Sequence, residues 1–315
     1  MTKEITAFII TLALSIAIAP FVIKYLISIK FGQSIREIGP EWHEKKSGTP
    51  TMGGFIFIIP LIVTGILLLR GVEAVICLIT AIGFGAVGFI DDYIKVVKKR
   101  NLGLSSKAKF LLQIAVTVFF LAAQHELLVV DGSVKIPFGS MLNMGWFYFL
   151  FAAFVMLGAV NSVNLTDGID GLAASVSTVV LVFFGIMAVV YGNTDVASLC
   201  FAAVGGCVAF FMFNKNPAKV FMGDTGSLFL GGLISAVALI LGQPFMLIMA
   251  GIVFFIETLS VILQVTYFKA TGGKRLFKMS PIHHHFEMCG WNENKIDIVF
   301  GVVTLVMCVI AYFGI

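Results

Sequence analysis

The sequence predicts an all-α polytopic membrane protein of about ten transmembrane helices, and three observations predict it. Hydrophobic residues make up 59% of the 315-residue chain and charged residues only 12%, whereas soluble domains carry about a quarter charged residues. The apolar residues fall in runs long enough to cross hydrocarbon, which takes roughly 20 residues of helix. Lysine and arginine gather in alternate connections, the asymmetry that marks the cytoplasmic side of a membrane protein. The net charge of +4 therefore matters through its placement, and no nucleic-acid partner is expected.

The first span, 5–29, is too long for a cleavable signal and no small-residue cleavage site follows it, so it reads as a retained helix. Spans at 51–69 and 73–92 follow, the latter closing on paired aspartates, and 108–124 comes after a basic run. The spans 144–161 and 172–191 are parted by a dense polar segment, and 195–213 stops at Asn214-Lys215. Spans 226–242 and 245–268 are separated only by the Gly242-Gln243-Pro244 turn, and 296–313 completes the set. Between the fourth and fifth spans, apolar β-formers flank Asp131-Gly132, which predicts a small hairpin turning at that pair.

One set of connections holds Lys30, Arg36, Lys45 and Lys46, then the run from Lys95 to Lys109, then Lys215 and Lys219, then Lys269 to Lys295. The other set has only Lys3, Arg70 and Lys135. The basic side is thus expected to be cytoplasmic, with both termini extracytoplasmic. The five cysteines have no paired spacing and read as small buried hydrophobes rather than disulfides or a metal site. No repeat or linker divides the chain, so residues 1–315 are expected to form a single domain.

The unusual polar residues converge on the basic side. Gly88-Phe89-Ile90-Asp91-Asp92-Tyr93-Ile94-Lys95 ends an apolar run in two adjacent carboxylates, which repel each other and are disfavoured by hydrocarbon. Lys95 lies at i+4 from Asp91 and i+3 from Asp92, close enough on a helix to relieve that cost. A divalent ion such as Mg²⁺, which takes carboxylate and phosphate oxygens, would relieve it further. The plainer reading is a helix end with solvated charges.

Residues 40–54 combine lysines, hydroxyls and glycines just before a span, including Lys46 and Thr51; this suits an anion, or an ordinary polar loop. Asn161–Gly171 packs Asn161, Asn164, Asp167, Gly168, Asp170 and Gly171 into one short connection, more than a turn requires. In the next cluster Asn214 precedes Phe221-Met222-Gly223-Asp224-Thr225-Gly226-Ser227, where Asp224 is either an N-cap or a third acid on the same side. Phe221 could stack on a flat ring or sit at the interface as an aromatic anchor. His283, His284 and His285 are consecutive, so on a helix they point in different directions; phosphate or sugar hydrogen bonding suits them better than zinc. Glu257 and Gln264 lie in or near the ninth span, where a carboxylate is either functional or paired with another helix.

Carboxylates, lysines, glycine turns and imidazoles at one membrane face make a phosphoryl-transfer set, in which catalysis is positioning plus charge neutralisation. No Walker glycine loop or kinase signature is present. The placement implies a lipid phosphate as one substrate and a soluble nucleotide compound as the other. A transporter or flippase is the alternative class, but it would place polar residues near the bilayer midplane in repeated halves.

Asp-Asp-x-x-Lys at 91–95, Asn-Leu-Thr-Asp-Gly-x-Asp-Gly at 164–171, Phe-Met-Gly-Asp-Thr-Gly-Ser at 221–227 and Pro-x-His-His-His-Phe-Glu at 281–287 resemble the polyprenyl-phosphate N-acetylhexosamine-1-phosphate transferases. The His-His-His-Phe-Glu form and Gly-Thr-Pro-Thr-Met-Gly-Gly at 48–54 are most similar to the phospho-N-acetylmuramoyl-pentapeptide transferase branch. The resemblance covers essentially the whole chain and implies a homodimer in the bacterial cytoplasmic membrane with a cytoplasmic cleft. It implies transfer of phospho-MurNAc-pentapeptide from UDP to undecaprenyl phosphate, giving lipid I and UMP with Mg²⁺; a sister enzyme using UDP-N-acetylglucosamine is the near alternative. It further implies that Asp91, Asp92, Asp224 and His283 are catalytic, with the three aspartates as metal ligands. Lys95, Lys99 and Lys107 would neutralise phosphates, while Lys46, Gly168, Asp170 and Phe221 would frame the uracil, with Asn214 nearby. Thr51, Asn164, Asp167, Gln264, His284 and His285 complete the implied substrate contacts.

Overall fold

The computed structural model describes residues 2–29, 48–97, 103–128 and 130–314. They form twelve α-helices and one small antiparallel ribbon. The elements run α1 (Lys3–Ser28), α2 (Phe55–Leu68), α3 (Val72–Val97), α4 (Ser106–Leu127), β1 (Ser133–Lys135), β2 (Met141–Asn143), α5 (Phe147–Thr166) and α6 (Leu172–Val190). They continue with α7 (Thr194–Asn214), α8 (Gly223–Ile240), α9 (Pro244–Ala250), α10 (Ile252–Ala270), α11 (Ile282–Met288) and α12 (Glu293–Tyr312). Among the described residues, nine helices are long and apolar enough to cross a membrane: α1, α3 to α8, α10 and α12.

The centre of the bundle is α8. Every residue from Thr225 to Leu239 is buried, so it is apolar on all sides, as a helix enclosed by other helices must be. Its closest partner is α3, and Gly88 permits that approach: a Cβ there would lie 2.0 Å from the Asp224 carbonyl oxygen. Small residues at such crossings let backbones approach where apolar burial gives helices little reason to associate. The outer helices expose Phe21, Phe154, Ile262 and Ile298, as surfaces facing hydrocarbon do. Side-chain caps start three helices: Ser105 accepts from Ala108 N, Asn193 from Val196 N and Asn292 from Lys295 N.

The structure departs from the expected elements in four details. The span expected at 51–69 is α2, shorter than the other nine at 14 residues, yet the chain from Gly53, paired with Phe221 O, to Arg70, whose N–H meets Asp195, still runs from one end of the bundle to the other. Residues 50–54 precede α2 and bind the segment before α8: Gly53 N donates to Phe221 O at 2.8 Å, Gly54 N to Met222 O at 3.1 Å, and Phe221 N to Pro50 O at 2.8 Å. The span expected at 245–268 is two helices, α9 and α10, broken at Gly251. The hairpin exists but does not turn at Asp131-Gly132. Ser133 pairs with Asn143 and Lys135 with Met141, so the chain reverses through 136–140. Asp131 accepts from Ser133 N at 2.9 Å ahead of the first strand, a local side-chain turn that imitates the hairpin signal. Of the two roles open to Asp224, the third acid holds and the cap of α8 does not. Met222 occupies that place without a side-chain cap, and Asp224 sits in the first turn.

The two ends of the bundle differ. Phe138 N donates to Gly314 O at 2.9 Å, which ties the C-terminal segment to the ribbon. Lys3, at the start of α1, pairs with Asp195 at the start of α7. Both ends of the described chain therefore lie opposite the end where α3 and α5 finish and α8 begins.

Candidate active site

That second end collects the polar clusters. Asp91 and Asp92 lie in the last two turns of α3, because the helix runs five residues past the expected boundary and takes Lys95 with it. Asp224 comes from the first turn of α8. One oxygen from each of these three carboxylates lies within 4.8 Å of the others, and they are the only such group of potential metal ligands among the described residues. Asp91 and Asp92 are buried and Asp224 partly so.

Two lysines hold the cluster. Lys95 Nζ stands 2.6 Å from Asp91 Oδ2, 3.6 Å from Asp92 Oδ1 and 3.0 Å from Asp224 Oδ2. Lys109, in the first turn of α4, reaches Asp224 Oδ2 at 2.7 Å. Backbone and hydroxyl donors complete the frame. Leu104 N donates to Asp91 Oδ1 at 2.8 Å, and Thr225 N and Oγ1 donate to Asp92 Oδ2 at 2.9 and 2.7 Å. Asn164 Nδ2 donates to Asp224 Oδ1 at 2.9 Å and to Ser227 Oγ at 2.8 Å. Three carboxylates thus face two lysines, one acid more than there are cations, with oxygen ligands gathered in one place. That donor set fits Mg²⁺, which prefers carboxylate and phosphate oxygens.

Asp167, just past the end of α5, belongs to the same field. Burial, followed by the negative charges of Asp224, Asp92 and Asp170, pushes its carboxyl up to about 8, against the smaller opposing effect of the Gly223 N–H.

Several residues singled out from the sequence have scaffold contacts. Asp170 Oδ2 accepts from Asn216 Nδ2 at 3.1 Å and from Ala218 N at 3.0 Å, which shapes the connection between α7 and α8. Asn214 bridges the same two loops, accepting from Gly171 N at 3.0 Å and donating to Val220 O at 2.9 Å. Phe221 is partly exposed, and its backbone pairs with residues 50–54. Thr51 is buried, and its hydroxyl lies 2.8 Å from where a Cβ of Gly223 would stand. Gln264 Oε1 accepts from Leu276 N and Phe277 N, at 3.1 and 2.8 Å, and so holds the connection after α10.

The three histidines of α11 point three ways, as consecutive residues on a helix must. His283 Nδ1 meets Glu257 Oε2 at 3.0 Å with both side chains fully buried. His284 Nδ1 meets Glu287 Oε2 at 2.6 Å, and His285 Nδ1 accepts from Lys278 N at 3.1 Å. They form no shared metal site among the described residues. Glu257 therefore does have a partner on another helix. Lys46 and Lys99 lie outside the described residues. Lys107 is exposed, and its neighbour Lys109, not singled out from the sequence, is the residue that enters the cluster. Its signal was a second cation two positions on, inside an apolar helix start, where a charge is costly without a partner.

Residues 74–242 match the family model described as glycosyl transferase family 4. The chain is 49% identical to a phospho-N-acetylmuramoyl-pentapeptide-transferase of Listeria innocua, over 98% of this chain and 96% of that one. It is 48% identical to the Clostridium perfringens protein of the same name, over 98% of each. The motifs at 91–95, 164–171 and 221–227 all lie within the matched region, and their side chains meet in one cluster. The chain belongs to glycosyl transferase family 4, as a transferase of its phospho-N-acetylmuramoyl-pentapeptide transferase group.

Proposed function

We propose that the protein transfers phospho-MurNAc-pentapeptide from UDP-MurNAc-pentapeptide to undecaprenyl phosphate, yielding lipid I and UMP for peptidoglycan synthesis. The observation that carries this reading is the meeting of Asp91, Asp92 and Asp224 within 4.8 Å beside Lys95 and Lys109 at one end of a membrane bundle. The lysine-rich connections at that end support a cytoplasmic site, where a soluble nucleotide sugar is present, in the bacterial cytoplasmic membrane. The membrane supplies the lipid acceptor, and the exposed apolar faces of α5 and α10, including Phe154 and Ile262, are suited to its polyprenyl chain. A homodimer is part of the same proposal.

In the reaction, an oxygen of the lipid phosphate attacks the β-phosphorus of the donor. The bond from that phosphorus to the bridging oxygen breaks, and UMP leaves with the oxygen. Asp224, with Asp91 and Asp92, would hold Mg²⁺, which when bound neutralises diphosphate charge and polarises the phosphorus. Lys95 and Lys109 supply positive charge where the phosphates lie, and Asn164 fixes the direction of the Asp224 carboxylate. A lipid phosphate oxygen is a competent nucleophile near neutral pH, so no covalent enzyme intermediate is required. Because Asp91 and Asp92 already hold their positions through Leu104 N and Thr225, they orient the acceptor with little reorganisation.

The test is UMP release by purified protein supplied with undecaprenyl phosphate, Mg²⁺ and one donor at a time. Release from UDP-MurNAc-pentapeptide that stops with EDTA is the expected result. Release from UDP-N-acetylglucosamine instead would assign the sister reaction, and silence with both in folded protein would revive transport.

A further inference from the structure

Glu257 is a carboxylate enclosed within α10, and its side chain and that of His283 are 0% exposed. Burying a carboxylate is costly even when it is paired, so the pair calls for an explanation. One edge of each group is used in the contact between Oε2 and Nδ1. The other edges, Glu257 Oε1 and His283 Nε2, have no hydrogen-bond partner and are buried. Nε2 stands against the Gly168 backbone, and a Cβ at that position would lie only 2.2 Å from it. Gly168 follows Asp167 directly and lies four residues beyond Asn164, whose amide holds Asp224 at 2.9 Å. A contact path therefore runs from Glu257 through His283 and the Gly168 turn to the residues around Asp224. A purely structural clamp is already present one residue on, where Thr258 Oγ1 donates to Ser162 Oγ at 2.7 Å and joins α10 to α5.

We propose that Glu257 is a positioning residue for the transfer reaction: it accepts from His283 Nδ1 and thereby seats the free Nε2 edge of the imidazole against the Gly168 turn. This rests on the transfer reading above. Acceptance at Oε2 fixes the ring's orientation and requires the proton at Nδ1, as an oriented acceptor does for other functional histidines. Glutamine can accept the same bond through its amide oxygen, and alanine cannot. Asparagine at 283 can keep a donor near the place of Nδ1 while removing the Nε2 edge.

The experiment compares Glu257→Ala, Glu257→Gln, His283→Asn and Glu257→Ala/His283→Asn by UMP release and by hydrogen–deuterium exchange of the 164–171 segment without substrate. In protein with parent-like thermal stability, Glu257→Ala should lower kcat by about 10-fold to 100-fold. The KM for donor should change less than about threefold, and exchange at 164–171 should be faster. Glu257→Gln should recover most of both losses. The double variant should be no worse than His283→Asn, because Glu257 acts through the imidazole. Parent-level kcat and exchange in Glu257→Ala would overturn the proposal. So would independent, multiplying effects of the two substitutions, or a loss that follows the folded fraction and is not recovered by glutamine. Silence of the parent with this donor would count against the transfer reading alone, since exchange is read without substrate.

Discussion

The two ends of the bundle each carry a buried or half-buried carboxylate cluster with lysine, and they are built to opposite rules. At the end holding the chain termini, Asp195 receives Lys3 and the backbone N–H groups of Arg70 and Gly71. One acid meets one cation and two neutral donors, and its charge is balanced. At the other end, three acids from α3 and α8 meet two lysines, with Asp167 close by. That arrangement leaves acids and oxygen ligands in excess of cations. A balanced cluster lowers the energy of the fold as it stands, whereas an unbalanced one gains most when a cation and phosphate groups arrive.

The comparison can be broken most sharply at Asp224. Asp224→Asn should lower UMP release by about 10²-fold to 10³-fold, with a melting temperature close to the parent's. Asp195→Ala should do the reverse, with turnover per folded molecule unchanged and stability lower by about 1–3 kcal/mol, because three donors lose their acceptor. Equal effects of the two on turnover would erase the distinction. A smaller effect is expected at Lys109. Lys109→Ala should reduce turnover about tenfold to 100-fold, while Lys107→Ala, at an exposed position, should change it less than about twofold.

Near neutral pH, Asp167 carries a pH dependence that the Asp195 end lacks. Its carboxyl in the folded protein titrates at about 8, against roughly 3.9 unfolded. Between those values the folded state binds more protons than the unfolded state, so stability falls as pH rises and levels off above about 8. Asp167→Asn carries no such proton. Thermal melts should therefore show the variant gaining on the parent from pH 6 to pH 8, and a constant difference across that range would contradict the assignment.

Much of this was legible in the sequence, for physical reasons. Long apolar runs and basic asymmetry are strong signals, and residues near Asp91 and Asp167 stand out because hydrocarbon makes each one costly. The parts that were not legible depend on tertiary pairing. Residues 50–54 look like a helix start, yet the N–H groups of Gly53 and Gly54 are taken by Phe221 O and Met222 O. Asp131-Gly132 has hairpin chemistry, but the strand register places the turn five residues later. Asp224 has the position of a cap, and only the folded arrangement shows its oxygens turned toward Lys95, Lys109 and Asn164. The histidines were legible as divergent residues, while the partner of His283 on α10 was not, since sequence spacing carries no distance between helices.

If the unbalanced cluster is the divalent-cation site, Mn²⁺ bound there can be counted by electron paramagnetic resonance. Parent protein and Asp195→Asn should each bind one ion competed by Mg²⁺, and Asp224→Asn should lose it. Undiminished binding by folded Asp224→Asn, or loss confined to Asp195→Asn, would place the ion elsewhere.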